Sequence, residues 1–219
     1  MIKQTKKSGR PTIYAVTASW RTIDYSVPMN IAHDIIPIIE KDSESIWRLG
    51  GALGGDFIST EFMLRRCGNV RKRLEIYLPV SLERYCEHYH KRASEGEINV
   101  DQVDMLTEQL KYIKRMFPGV IRDKTKFKEV TTKSYLARNT TIIEGDRFNR
   151  NADVLFAYIV NDSHGVLDVI KKAKRLEVRI VQRSFTIPET QDNQSHRFLP
   201  DFLNQYNIEN DPSYFNYSN

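Results

Sequence analysis

Apolar residues recur along this chain with two periods, and the alternation between those periods predicts the fold class. Pro11 to Thr17 is a short β-rich apolar run that reads as a buried strand ending at Ala18-Ser19. Residues 27–41 place Ala32, Ile35, Ile36 and Ile39 at helical spacing. Ser45 to Leu49 is a second brief strand, Asp56 to Cys67 a helical pattern opening on an acid, and Leu74 to Val80 a third strand stopped at Pro79. Leu82, Tyr85, Cys86, Tyr89 and Ala93 form an amphipathic stripe, which breaks at Ser94 to Asn99. Val103, Leu106, Leu110, Ile113 and Phe117 carry the next helix, over 100–117, to its stop at Pro118-Gly119. The charged run Arg122 to Glu129 has no period and reads as a loop able to order over a ligand. Helical spacing returns over 133–148 through Leu136, Thr140 and Ile143. Asp153 to Val160 is then a strand, Gly165 to Leu176 a helix and Val178 to Val181 a last strand.

Five strands alternating with helices predict an α/β fold: a Rossmann-like three-layer sandwich whose mostly parallel five-stranded sheet has helices on both faces. The expected organisation is a basic leader at 1–11, one α/β domain at 12–183 with a helical insertion at about 94–132, and a polar tail at 184–219. At 219 residues and 40% hydrophobic content, one core is expected. No apolar run approaches the roughly 20 residues of a membrane span, and no apolar stretch follows the charges of the N-terminus. Cys67 and Cys86 build neither a disulfide framework nor a four-ligand zinc site, so a reducing cytoplasm is the expected location and no metal or cofactor is predicted.

Charge sharpens the choice of partner. The net charge of +5 is uneven: residues 184–219 hold Arg197 against Glu189, Asp192, Asp201, Glu209 and Asp211. Residues 1–183 therefore carry 32 basic and 23 acidic side chains, a net +9. A body that basic suits an anionic ligand, either a nucleotide or a nucleic-acid backbone, although a solvated Lys/Arg surface has the same composition.

Gly50, Gly51, Ala52, Leu53, Gly54, Gly55 and Asp56 lie between a strand and a helix, where free amides and absent side chains admit a phosphate. A tight turn without a ligand would use the same residues. Glu61, farther along that helix, could reach a sugar hydroxyl. In open parallel sheets the ligand crevice lies at the carboxyl ends of strands. That adds Thr17, Ser19 and Arg21 after the first strand, and Asn161, Ser163, His164 and Gly165 after the strand at 153–160. Arg138 offers a fork to phosphate, and Asn139 an amide to a base or ribose. Cys86 and His90 share a helix face, but Cys86 belongs to the apolar stripe and two ligands make no metal site.

These motifs, in this order, resemble the SLOG superfamily of Rossmann-like proteins, above all its YspA-like branch, with DprA and the LOG phosphoribohydrolases more distant. The family pattern is a strand ending in Gly-Ser-Arg, then Gly-Gly-Ala-x-Gly-x-Asp with a following Glu, then Arg-Asn opening a helix, then a strand and a Gly-rich turn. Here Thr17 to Arg21, Gly50 to Asp56 with Glu61, Arg138-Asn139, and Ala152 to Gly165 match it, over residues 12–181. Ala18 stands where the family prefers Gly, and Trp20 separates Ser19 from Arg21. His164 to Asp168 lacks the Thr and Glu of the LOG turn. The resemblance implies a nucleotide or nucleotide-derived ligand, a sensor or regulatory role, and a homo-oligomer. The alternatives are an N-glycoside hydrolase or transferase using Glu61 or Asp168 as acid, and a DprA-like nucleic-acid-binding module.

Overall fold

The computed structural model describes residues 9–20, 25–146 and 150–187. The elements are β1 (Ile13–Ala18), α1 (Ser26–Lys41), β2 (Ile46–Leu49), α2 (Gly55–Arg66), α3 (Val70–Arg73), β3 (Leu74–Tyr77), α4 (Leu82–Ser94), α5 (Val100–Met116), β4 (Ile121–Arg122), α6 (Thr132–Glu144), β5 (Val154–Val160), α7 (His164–Arg175) and β6 (Arg179–Phe185). One sheet holds the strands in the order β4-β3-β2-β1-β5-β6, every pair parallel. The chain winds outward from β1 to β4 and then crosses to the other side of β1. The switch point of this Rossmann-like α/β fold therefore lies between β1 and β5.

Alternate strand residues enter two cores, as a period of two requires. Tyr14, Val16, Trp47, Leu49, Ile76, Phe156 and Tyr158 face α1, α2, α4 and α5. Ile13, Ala15, Tyr77, Leu155, Ala157 and Ile159 face α6 and α7. Burial on both faces explains why the central strands read as continuous apolar runs. On the larger core Trp47 stacks on Tyr14, ring centroids 4.6 Å apart, and lies 6.2 Å from Phe156. Its indole N–H is met by the Ser45 hydroxyl at 3.0 Å. Buried charges are paired: Glu75 accepts from Arg48 Nε (3.0 Å), the Tyr77 hydroxyl (3.0 Å) and Arg122 Nη2 (3.3 Å), joining β2, β3 and β4.

The sheet has six strands rather than five. The additional one, β4, is two residues long and opens the charged run that reads as a loop; its partners Ile76 and Tyr77 lie more than forty positions earlier. A two-residue strand has no periodicity to detect. The rest of that run is held by its own contacts: Thr125 Oγ1 donates to Pro79 O at 3.1 Å and accepts from Phe127 N at 3.1 Å, and Arg84 Nη1 donates to Lys128 O. β6 continues past Val181 to Phe185, so Ser184 and Phe185 belong to the sheet. α6 ends at Glu144 on Gly145, which has φ 77°, short of the predicted 148. Residues 1–8 of the leader, Arg21, and 188–219 of the tail lie outside the described residues. No helix among the described residues is long and apolar enough to cross a membrane.

Candidate functional site

Because β1 and β5 are neighbours, with Thr17 opposite Ala157 and Ala18 opposite Tyr158, their two following loops meet at one end of the sheet. A crevice of about 660 Å³ opens there, within the size range of small-molecule sites. Ten of the predicted residues line it: Thr17 and Ser19 after β1; Ala52 and Asp56 at the start of α2; Arg138 and Asn139 on α6; and Asn161, Ser163, His164 and Gly165 after β5. Gly50, Gly51, Gly54, Gly55 and Glu61 do not line it.

The glycine loop is a junction where the chain packs against itself. A Cβ on Gly50 would lie 1.3 Å from Arg138 Nη1, and one on Gly55 would lie 2.1 Å from Ala18 Cβ. Gly51 and Gly54, with φ of 61° and 74°, abut Ile76 with Leu78 and the Ser19–Trp20 backbone respectively. The Gly55 amide is taken up by Ser19 O at 3.4 Å. Gly55→Ala is therefore expected to cost about 1–3 kcal/mol through overpacking, read by urea denaturation. Wild-type stability in that variant would show that β1 and α2 are not in this contact.

The anion that the α2 N-terminus attracts is the chain's own Asp56, the acid of that helix's first turn. Its Oδ2 lies 3.5 Å from Arg138 Nη1, and both side chains are buried. Burial pushes the Asp56 carboxyl up to about 6, against the opposing pull of the Arg138 charge and of backbone amides at Ala52, Ala18 and Gly50. Asp56 Oδ1 and Arg138 Nε are nevertheless buried without hydrogen-bond partners. The Arg138 guanidinium also stands over the Tyr135 ring, 5.4 Å from its centroid.

Across the crevice, the N-terminus of α7 is built differently. Neither helix has a side-chain capping bond, from Gly54 or from Ser163, but the first turn of α7 holds no acid. The first amides of a helix have no partner within the helix. Asn161 and Asp162, with φ of 45° and 53°, take the left-handed conformation that sharply redirects the chain into α7. Asn161 is fixed by Ile187, donating to its carbonyl at 2.8 Å and accepting from its amide at 2.9 Å. A Cβ on Gly165 would meet nothing within 4 Å.

Other predicted residues serve the frame. The Ser19 hydroxyl accepts from Val160 N at 2.9 Å and pins β1 to β5. Asn139 donates to Asp168 Oδ2 at 3.0 Å and to Gly165 O at 3.4 Å, tying α6 to α7. It lies within α6, which starts at Thr132, so the Arg138-Asn139 pair does not open its helix. Glu61 is buried, bonded to Arg65 Nε at 3.0 Å and Gln109 Nε2 at 2.7 Å. Asp168 is engaged by Lys172 and Asn139, and neither Glu61 nor Asp168 reaches the crevice lining.

Sequence reasoning passed over the aromatic and cationic wall: Trp20, Tyr89, Arg92 and Tyr135. Arg92 stands over the Trp20 ring, 5.6 Å from its centroid, and Trp20 is 40% exposed. A signal was present, because Tyr89/Arg92 and Tyr135/Arg138 are both aromatic–arginine pairs three residues apart, the spacing that puts two side chains on one helix face.

No family model matches the chain, and no curated protein does. Two solved structures are similar to it. One is DNA processing protein A from Helicobacter pylori, which has a described single-stranded DNA binding mode. It is 16% identical, with 94% of this chain and 80% of that chain covered, and its TM-score is 0.48. The other is DNA processing protein A from Streptococcus pneumoniae, 15% identical, with 88% of this chain and 56% of that chain covered and a TM-score of 0.49.

Proposed function

We propose that this chain binds a nucleotide or nucleotide-derived ligand in the crevice between β1 and β5, as a sensor or regulatory protein. The ligand's phosphate sits on the N-terminal amides of α7. The observation that carries the reading is the contrast between two helix starts on one crevice: the first turn of α2 holds Asp56, whereas the first turn of α7 holds no acid. Trp20 and Tyr135 supply ring faces for a base, and Arg92 adds positive charge. The test is thermal-shift fluorimetry of the full chain against a panel of nucleoside monophosphates, cyclic nucleotides and ADP-ribose-type ligands. At least one member is expected to raise Tm by several degrees, corresponding to about 3 kcal/mol at a hundredfold excess over Kd. No shift with any member would remove the reading.

A second reading, a nucleic-acid strand as the ligand, is favoured by the net +9 of residues 1–183. Such binding would weaken steeply with salt, by a factor set by the number of phosphates neutralised. Absence of binding to single-stranded oligonucleotides at low salt would eliminate it.

A further inference from the structure

A second cleft, of about 730 Å³, lies on the other side of Arg138, at the carboxyl ends of β3 and β4. Its floor includes Tyr77, Leu78 and Pro79, and α6 forms one wall through Ser134, Ala137 and Thr141. The opposite wall is the segment 122–127, which brings Arg122, Lys124 and Lys126 to the cleft, with Lys114 beside them at the end of α5.

The charges there do not cancel. Lys114, Arg122, Lys124, Lys126 and Arg138 face Asp123 and Asp146, with Glu75 behind Arg122 and Asp56 behind Arg138, which leaves an excess of one positive charge. Asp123 is engaged by Lys114 at 2.7 Å, and Arg122 is held by Glu75 at 3.3 Å. Lys124 and Lys126 make no ion pair with any described residue, and Lys126 stands over the Phe127 ring, 5.6 Å from its centroid. The two lysines do not hang on a loose loop, because Thr125 between them is bonded to Pro79 O at 3.1 Å and its amide to Asp123 O at 3.1 Å. Arg138 borders this cleft as well as the first, its side chain is 10% exposed, and its Nε is buried without a partner.

We infer that this cleft is a second, separate anion site, and that its ligand is a compact polyphosphate group of two or more phosphates. Two unpaired lysines on an anchored segment, with the unpartnered Arg138 Nε at the rim, match two or more negative charges at short spacing better than one, and a guanidinium is a strong donor to phosphate oxygens. The inference stands independently of the nucleotide reading of the first crevice, although Arg138 belongs to the rim of both.

Isothermal titration of the full chain with inorganic pyrophosphate at low and physiological salt tests it, using two variants. In Lys124→Glu/Lys126→Glu both changes fall on exposed side chains, and in Gly165→Asp the change falls in open space at the first crevice. Pyrophosphate affinity is expected to fall about tenfold or more in the lysine double variant and to stay within about twofold in Gly165→Asp, since direct charge reversal acts at contact distance while the first crevice is screened. No pyrophosphate binding, or binding indifferent to the two lysines, overturns the inference. Loss of one and the same isotherm in both variants also overturns it, because a single extended ligand would then span the two clefts. If nucleotides fail to bind while pyrophosphate binds through the lysines, the reading of the first crevice fails and this one stands.

Discussion

Gly165→Asp is expected to abolish nucleotide binding without unfolding the protein. Gly165 is the second residue of α7, and the new side chain enters open space, so no overpacking opposes it. An acid in the first turn also complements the helix dipole, worth about 0.3–1 kcal/mol. The carboxylate then occupies the place proposed for the phosphate and repels it. The expected result is unchanged or raised Tm together with a loss of affinity of about a hundredfold, on the order of 3 kcal/mol, from exchanging a charge-assisted contact for a like charge. Wild-type affinity in this variant would move the phosphate elsewhere. The analogous substitution at Gly51 is not a usable probe, because its side chain would collide with Ile76 and Leu78 and destabilise the fold whatever the ligand does.

Arg138→Met is expected to have the largest effect on stability, and one that depends on pH. With the guanidinium gone, the buried Asp56 carboxylate loses its counter-ion, and breaking a buried pair from one side costs about 3–5 kcal/mol. In the wild type, burial already lifts the Asp56 carboxyl from 3.8 to about 6. A folded pKa above the unfolded one means that ionisation opposes folding. The penalty is fully present above about pH 6 and is relieved as pH falls from there toward 3.8; a rise of that size corresponds to roughly 3 kcal/mol. Removing Arg138 raises the carboxyl further. The deficit of the variant should therefore be large in urea denaturation at pH 8 and small at pH 5, where Asp56 is protonated. An equal deficit at both values would mean that Arg138 acts through packing alone, including its contact with the Tyr135 ring.

What was legible in the sequence follows from where the physics is local. β1 and β5 announce themselves because burial on both faces leaves near-continuous apolar runs, β2 and β3 in spite of the paired Arg48 and Glu75, and α5 because Val103, Leu106, Leu110 and Ile113 are all fully buried at helical spacing. The convergence of Thr17, Ser19, Asn161 and Gly165 on one crevice was also legible, since a parallel sheet places the ends of neighbouring strands together. β4 was not, having two residues and a distant partner strand.

The glycine loop shows a subtler limit. A sequence records that a Cβ is missing at Gly50 and Gly55, but not what fills the space. Here the space is filled by Arg138 and by Ala18. Likewise, the acid at the start of α2 read as part of a ligand site, while its carboxylate turns into the loop that precedes it. Glu61 is settled by Gln109, forty-eight positions away, which no local pattern reveals.

A ligand phosphate docked at the start of α7, and not in the glycine loop, perturbs the amides it meets. Backbone amide NMR of the full chain, titrated with a nucleoside monophosphate identified by the thermal-shift panel, tests this placement most directly. The largest shifts are expected on the amides of His164, Gly165 and Val166, with those of Gly50 to Gly55 moving little. Largest shifts at Gly50 to Gly55, with the α7 amides unmoved, would contradict it.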